Sequence, residues 1–266
     1  MKRSIIAALT LGLAVLPALL PEPSLAASRT IKVGVSPGAQ ADIMNEVRRV
    51  AATEGLALDV VLFDQPARID AALAAKQIDV ASFEDEPALD AQRKRHGYAL
   101  TSVATTVTFP VALYSRKLTN LVQLPRGATI AIPDDPAGTA RALILLQNET
   151  LLTFRDSAGL HATLADITSN RLHLTIRRVP RARLFDTLNS VAFAVIDSDT
   201  AAHSGLHPAR DSLSLEDARS PYANVLSVRN GDRGDAWVTQ LVAAYHSNDV
   251  AHFILTRYQD SVRRPW

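Results

Sequence analysis

Arg141 is the residue whose type and position most clearly suggest chemistry. It lies in the segment IAIPDDPAGTARALILLQ, residues 130–147, in which a short buried strand runs into a turn that opens a helix. Asp135 suits the N-cap of that helix, and Pro136 suits the first helical position, where a missing N–H costs nothing. The start of a helix favours negative charge, and a guanidinium group can hold a carboxylate through two parallel hydrogen bonds. The pattern predicts carboxylate binding at Arg141 or, alternatively, an ion pair with Asp134 or Asp135 in a surface turn.

A second pattern indicates a catalytic serine, but only weakly. Residues 34–38 match G-x-S-x-G, the nucleophile turn of many hydrolases, with Ser36 as the nucleophile. That turn needs a backbone N–H directly after the serine, and Pro37 has none. A serine hydrolase is therefore the less favoured alternative, and we expect no enzyme and no catalytic residue.

A third pattern concerns two histidines with the spacing of metal ligands. His203 and His207 could share one face of a helix and hold a metal ion. Gly205 lies between them and Pro208 follows, so a stable helix is not expected there. The sequence predicts surface histidines, with no metal and no cofactor.

The beginning of the chain predicts export. Residues 1–26 combine a basic start, an apolar run, helix-breaking prolines and the small-x-small pattern Ser24-Leu25-Ala26, which together are typical of a secretory signal peptide. The chain has no cysteine, so we expect neither disulfides nor a lipid-anchor thiol. No later segment reaches the roughly 18 to 20 apolar residues that a spanning helix needs. Nearly equal numbers of basic and acidic residues, 28 and 27, argue against nucleic acid as a partner.

The elements that must position Arg141 alternate between strands and helices. Before residue 100, apolar β-like runs alternate with helical periodicity, in the order strand 30–35, helix 42–55, strand 58–63, helix 66–76, strand 78–83 and helix 87–96. A second series begins at residue 130, with further strands at 172–179, 192–196 and 224–228, a helical segment at 183–189, and closing helices at 237–245 and 250–258. This alternation predicts mostly parallel sheets covered by helices, with a ligand cleft between two units.

Several segments occur in the order and at the intervals of one known family. They are IKVGV at 31–35, DVASFEDEPALD at 79–90, PVALYSRK at 110–117, the Arg141 segment, AFAVID at 192–197 and SPYANVLSVR at 220–229. Jointly they resemble the NlpA-type lipoprotein family, the periplasmic methionine-binding components of ABC importers. The resemblance covers essentially all of residues 30–266.

The resemblance implies an α/β, two-lobed periplasmic-binding-protein fold of type II, with a mixed, mostly parallel sheet in each lobe. Lobe 1 would comprise residues 27–113 and 224–266, and lobe 2 residues 114–223, with hinge strands near Tyr114 and Asn224. It also implies a periplasmic monomer that binds methionine or a related amino-acid-like ligand and delivers it to an ABC permease in the inner membrane. A lobe pair that serves as a sensor or interaction protein is the alternative outside transport.

The ligand site is likewise implied by the resemblance. An arginine at the position of Arg141 would hold the ligand carboxylate. Asn224, together with Asp197, would fix the amino end, and Phe83 would form one wall of the side-chain pocket. Asp85 falls inside the pocket segment, where the family commonly has a histidine.

This sequence departs from the family pattern at several pocket positions. They are Pro66 and Ala88, where the family has tyrosines, Gly138 and Asp197, where it has asparagines, and Asp85. The aromatic cage for a thioether has thus lost two walls, while carboxylates have been gained. We expect a different or larger amino-acid-like ligand, with a second positive group facing Asp85 or Asp197. Alternatively, Glu84, Asp85 and Glu86 form a solvated cluster at a helix start.

Overall fold

The computed structural model describes residues 29–266, which form twelve β-strands and eight α-helices. The predicted signal peptide, residues 1–26, lies outside the described residues. The strands are β1 (Ile31–Val35), β2 (Leu58–Leu62), β3 (Val80–Asp85), β4 (Leu100–Thr105), β5 (Val111–Tyr114), β6 (Thr129–Pro133), β7 (Thr153–Phe154), β8 (Ile167–Ser169), β9 (Thr175–Val179), β10 (Ala194–Asp197), β11 (Ser212–Leu215) and β12 (Asn224–Arg229). The helices are α1 (Ala39–Thr53), α2 (Ile69–Ala74), α3 (Glu86–His96), α4 (Pro136–Asn148), α5 (Ser198–His203), α6 (Pro208–Asp211), α7 (Ala236–Tyr245) and α8 (Asn248–Tyr258).

Two five-stranded mixed sheets organise the chain. The first has the order β2-β1-β3-β12-β4, and the second has the order β11-β5-β10-β6-β9. In the first sheet, β1 pairs in parallel with β2 and β3, while β12 runs antiparallel to β3 and β4. In the second, β6 pairs in parallel with β9 and β10, while β5 runs antiparallel to β10 and β11. The prediction of mixed sheets is confirmed, although parallel pairs make up half of the strand pairs and not a majority.

Each sheet is covered by helices that bury an apolar face. Helix α1 buries Ile43, Met44 and Val47 against the first sheet, where they share one cluster with residues of α7 and α8. Helix α4 buries Leu143 and Leu146 against the second sheet. The apolar periodicity that predicted these helices is therefore the periodicity of their buried faces.

The chain crosses between the two sheets twice, at residues 106–110 and 216–223. Strand β5 follows the first crossing, and all of it, from Val111 to Tyr114, pairs within the second sheet. Strand β12 follows the second crossing and returns to the first sheet. The division into lobes at residues 113 and 223 stays a prediction.

Several local predictions differ from the structure. The strand predicted at 172–179 begins at Thr175, because the Asn170 side chain accepts from Leu174 N (2.8 Å) and donates to Leu174 O (3.0 Å) and so holds a turn. The helix predicted at 183–189 forms short 3-10 turns. The short elements β7, β8, β11, α5 and α6 were not predicted, because they are too brief to show a period.

Within residues 29–266, no helix combines the length and the apolar character needed to cross a membrane.

Candidate functional site

A cavity of about 800 Å³ lies where elements of the two sheets face each other. From the first sheet's side it is lined by the start of α3, and from the second by the β6–α4 junction and β9. The segment 160–165 and the second crossing complete the wall. The lining residues are Asp85, Pro87, Ala88, Ala91, Asp134, Pro136, Ala137, Thr139, Ala140, Arg141, Leu160, His161, Ala162, Thr163, Leu164, Ala165, Arg178, Arg181 and Tyr222. The wall is mostly small and apolar, with a few charged side chains, as is usual for a small-molecule site.

Asp85 lies at the end of β3 and caps α3. Its Oδ1 accepts a hydrogen bond from Ala88 N at 2.9 Å, and its Oδ2 has no hydrogen-bond partner among the described residues. Burial raises the pKa of the Asp85 carboxyl, an effect that the bond from Ala88 N and the charge of Arg141 oppose. A ligand cation beside Oδ2 would relieve the cost of this partly buried charge.

Arg141 projects from α4 into the same cavity, but its charge is already balanced. Its Nε donates to both carboxylate oxygens of Glu216, at 3.0 and 3.2 Å, and its Nη2 donates to Glu216 and to Phe109 O. The guanidinium also stacks over the Tyr222 ring, 4.8 Å from its centroid. The alternative pairing with Asp134 or Asp135 is wrong. Among the described residues, Nη1 has no hydrogen-bond partner and is the part of Arg141 that a ligand can use.

Glu216 holds Arg141 in place from the second crossing. The carboxylate is 5% exposed, and it accepts from Val111 N at 3.1 Å and from Ser220 Oγ at 2.9 Å as well as from Arg141. Nothing in a single sequence connects a glutamate in a loop with an arginine on a distant helix. Glu216 and Tyr222 were therefore missed, although Tyr222 lies in the segment SPYANVLSVR that carries the resemblance.

Arg181 fills the space beside Gly138. A Cβ at Gly138 would lie 2.7 Å from Arg181 Nη2, 2.7 Å from Asp135 Oδ2 and 2.6 Å from Pro133 Cβ. Arg181 donates to Asp135 from Nε (2.7 Å) and Nη2 (3.0 Å), and its Nη1 lies 3.5 Å from Asp197 Oδ2. Gly138 therefore makes room for Arg181, and Asp197 adds to its charge balance, at two positions where the resemblance led us to expect asparagine.

Asp197 does not line the cavity. It caps α5 through a hydrogen bond from Thr200 N to Oδ1 at 2.8 Å, while its Oδ2 faces Arg181. Its influence on a ligand therefore passes through Arg181, and the expectation that a ligand cation faces Asp197 directly does not match this arrangement.

Phe83 and Asn224 are also absent from the cavity lining. Asn224 Nδ2 donates to Phe83 O at 3.2 Å, and Gln40 Nε2 donates to the same oxygen at 2.8 Å. The Phe83 ring packs against the apolar cluster of Ile69 and its neighbours. These contacts tie β3 to β12 and α1, and so they fix the strand that carries Asp85.

A pair of carboxyl groups lies beneath the end of β3. Asp70 is 3% exposed, and Asp70 Oδ1 and Glu84 Oε1 are buried with no hydrogen-bond donor among the described residues as long as both groups are ionised. A proton on Glu84 lets the two carboxyl groups form a hydrogen bond with each other. Burial and the neighbouring charge of Asp70 raise the pKa of Glu84 to about 9, and burial also raises the pKa of Asp70. Glu84 therefore holds its proton at neutral pH, so the solvated acidic cluster considered for residues 84–86 does not describe this glutamate.

The remaining candidate residues do not assemble a reactive site. Ser36 and Pro66 are absent from the cavity lining, and within residues 29–266 Ser36 forms no hydrogen bond with a histidine or carboxylate. His203 ends α5 and His207 precedes α6, so no single helix carries both. In the described part of the chain, no three potential metal ligands come together.

Residues 31–266 match the family described as NlpA lipoprotein. The D-methionine-binding lipoprotein MetQ of Escherichia coli K12 is 35% identical over 223 residues, which cover 83% of this chain and 82% of MetQ. Lipoprotein 28 of the same strain is 35% identical over 242 residues, which cover 90% of this chain and 89% of that protein. The structure of a nutrient binding protein from Burkholderia cenocepacia bound to methionine superposes with a TM-score of 0.73. It is 37% identical to this chain and covers 88% of this chain and 99% of that one.

These similarities extend along nearly the whole chain and include both sheets. They confirm the two-lobed, mixed-sheet fold class expected from the sequence. They also overturn the serine hydrolase alternative, since MetQ and the Burkholderia protein are both named as binding proteins. The chain belongs to the NlpA lipoprotein family and is a substrate-binding protein, not an enzyme.

Proposed function

We propose that this protein binds methionine or a related amino-acid-like solute in the cavity and delivers it to an ABC importer. The observation that carries the proposal is the position of Arg141. This residue lines the cavity, its Nη1 has no hydrogen-bond partner among the described residues, and Glu216 orients the rest of the guanidinium. A preoriented guanidinium can bind a carboxylate with little loss of side-chain entropy. The names of the related proteins support the choice of solute.

Each of the predicted site residues has a place in this proposal. Arg141 binds the ligand carboxylate, and Asp85 borders the part of the cavity that takes the ligand side chain. Asn224 and Phe83 support the strand that carries Asp85. Asp197 acts through Arg181, which lines the cavity.

The two sheets with their helices would act as lobes that close on the ligand. The proposed lobes are residues 27–113 with 224–266, and residues 114–223, and the crossings at 106–110 and 216–223 would carry the hinge motion. A monomer exported to the periplasm by the signal sequence would then present the closed, loaded state to a permease in the inner membrane. This assignment is supported by the family membership and by the cavity between the two sheets.

Calorimetric titration tests the proposal. Mature protein is unfolded and refolded to remove carried-over solute, then titrated with L-methionine, D-methionine and other amino acids. We expect one of them to bind with a Kd of about 1 μM or tighter, equivalent to about −8 kcal/mol. Absence of heat with every amino acid, in a protein shown to be folded, would contradict the proposal.

Arg141→Lys provides the variant test. Lysine keeps a positive charge beside the buried Glu216, so the fold is retained, but it lacks the second branch of the guanidinium that reaches the ligand. We expect affinity to fall by at least about tenfold, or about 1.4 kcal/mol. Arg48→Lys is the matched control, since Arg48 is an exposed arginine on α1 that does not line the cavity.

A further inference from the structure

The charges around the cavity are not balanced, and their excess is negative. Among the cations of the wall, Arg141 is already paired with Glu216. Arg181 is paired with two carboxylates, those of Asp135 and Asp197. One carboxylate therefore neutralises Arg141, and two carboxylates outweigh the charge of Arg181. A second carboxylate on the ligand would gain little binding energy from either arginine.

Among the remaining charged groups of the wall, Asp85 adds to this negative excess. Asp85 Oδ2 has no hydrogen-bond partner among the described residues. Asp134 and Arg178 both line the cavity, are exposed and form no ion pair within residues 29–266, so they offset each other. Counted with the carboxylates that hold the arginines, five acidic groups face three arginines.

The apolar part of the wall is poorly suited to grip a thioether. Apart from His161, Tyr222 is the only aromatic residue among the described lining residues, and the Arg141 guanidinium already lies over its ring. The wall near Asp85 is formed by small residues, Ala88 and Ala91, which leave room for a longer side chain. Sulfur–aromatic contacts of the kind that hold methionine are worth only about 0.3–1.5 kcal/mol each, and here few are available.

We propose that the solute of this protein is a cationic amino acid, with one carboxylate at Arg141 and a side-chain ammonium or guanidinium group at Asp85. This inference rests on the proposed function and names the solute class for the same cavity. The zwitterionic end of the solute adds no net charge, so the side-chain cation neutralises part of the acidic excess. Because Asp85 is partly buried, its attraction for a cation is screened less than that of a surface carboxylate.

The experiment is a set of titrations of the refolded protein with L-lysine, L-ornithine, L-arginine, L-methionine and L-glutamate. We expect at least one of the three cationic amino acids to bind about tenfold or more tightly than methionine, and glutamate to give no heat. If methionine or another neutral amino acid binds most tightly, the inference is overturned and the proposed function stands. If no amino acid binds to folded protein, both fail.

The variant Asp85→Asn separates recognition of the cation from support of the fold. Asparagine is as good an N-cap as aspartate, so α3 keeps its cap while the charge is removed. We expect Asp85→Asn to weaken the cationic ligand by about tenfold or more and methionine by less than about twofold. Equal loss for both ligands would overturn the inference, because it would show that Asp85 acts through the fold. Glu54→Gln, at an exposed carboxylate after α1 and outside the cavity lining, is the matched control.

Discussion

The two sides of the cavity have the same local structure, a strand that runs into a helix capped by an aspartate, but the pKa values of the two aspartates are shifted in opposite directions. On one side β3 runs into α3, and on the other β6 runs into α4. Each helix is capped by an aspartate at its start: Asp85 accepts from Ala88 N at 2.9 Å, and Asp135 accepts from Gly138 N at 2.7 Å. Burial raises the pKa of Asp85, whereas hydrogen bonds from Arg181 lower the pKa of Asp135.

The difference comes from residues that are distant in the sequence. Arg181 reaches Asp135 from the segment after β9, and Glu216 reaches Arg141 from the second crossing, so Asp135 and Arg141 on the α4 side both have partners of opposite charge. On the α3 side, Asp85 and Glu84 have only weak or no cationic support, and both have raised pKa values. A capping motif therefore determines where a helix begins, but not the charge that the cavity presents to a ligand.

The largest expected effect on stability comes from breaking the Arg141–Glu216 pair on the α4 side. Glu216→Gln keeps an oxygen that can accept from Val111 N and gains an NH2 group that can donate to Ser220 Oγ, but it leaves the Arg141 charge uncompensated in a half-buried position. We expect the free energy of unfolding to fall by about 3 kcal/mol, measured by urea denaturation.

Two further variants control for this result. The double variant Arg141→Met/Glu216→Met removes both charges and should recover much of the loss. Asp186→Asn breaks an exposed pair with Arg183 and should cost less than about 1 kcal/mol. If Glu216→Gln lowers the free energy of unfolding no more than Asp186→Asn does, the buried pair on the α4 side contributes no more to stability than an exposed pair. That outcome would contradict the prediction.

The second prediction concerns Glu84, on the α3 side, and the pH dependence of the protein's stability. The pKa of Glu84 is raised from 4.5 to about 9 in the folded protein. Above pH 4.5 the unfolded chain loses this proton while the folded protein keeps it, so the Glu84 contribution destabilises the fold progressively up to about pH 9.

Glu84→Gln tests that contribution, because glutamine cannot ionise. We expect the variant to be more stable than the wild type by about 2 kcal/mol near pH 8, a value reduced for partial solvent exposure, and to show no difference at a pH below the unfolded pKa of glutamate. Asp59→Asn, at an exposed carboxylate on β2, is a control that should leave the profile unchanged. An equal pH profile in Glu84→Gln and the wild type would show that Glu84 ionises normally.

The smallest expected effect compares the two caps directly. Asp135→Asn and Asp85→Asn both keep a cap, but only Asp135→Asn removes a favourable ion pair. At neutral pH we expect Asp135→Asn to lower the free energy of unfolding by up to about 1 kcal/mol. Asp85→Asn should be neutral or slightly stabilising, because it removes a charge that burial disfavours. Thermal unfolding of the two variants, measured side by side, compares their stabilities. A larger loss of stability in Asp85→Asn than in Asp135→Asn would contradict this prediction.

Much of the fold could be predicted from the sequence because long periodic segments carry their own signal. Helix α1 and strand β1 were predicted within a few residues, since apolar spacing reports which face is buried. The Asp135 cap and the Gly97 end of α3, at φ 70°, also follow from local residue chemistry. Strand β11 and helix α6 were missed because each has only four residues, too few to show a period.

The candidate site was predicted only in part. Arg141 and Asp85 line the cavity, whereas Phe83, Asn224 and Asp197 are absent from its lining, and the predicted ligand contacts of all five stay predictions. Glu216, which orients Arg141, and Arg181, which takes the space beside Gly138, were not predicted. Both act across long sequence separations, where a single sequence contains no record of contact.

The sequence by itself determined the family, the two series of strands and helices, and the positions of Arg141 and Asp85 at the starts of helices. These properties depend on local order and spacing, which the chain carries without folding. Only the tertiary structure decided which charges meet. Ion pairing and burial depend on distances between segments that are far apart in the chain. The tertiary structure therefore balances Arg141 with Glu216 and gives Asp85, at the cavity wall, no ion pair within residues 29–266.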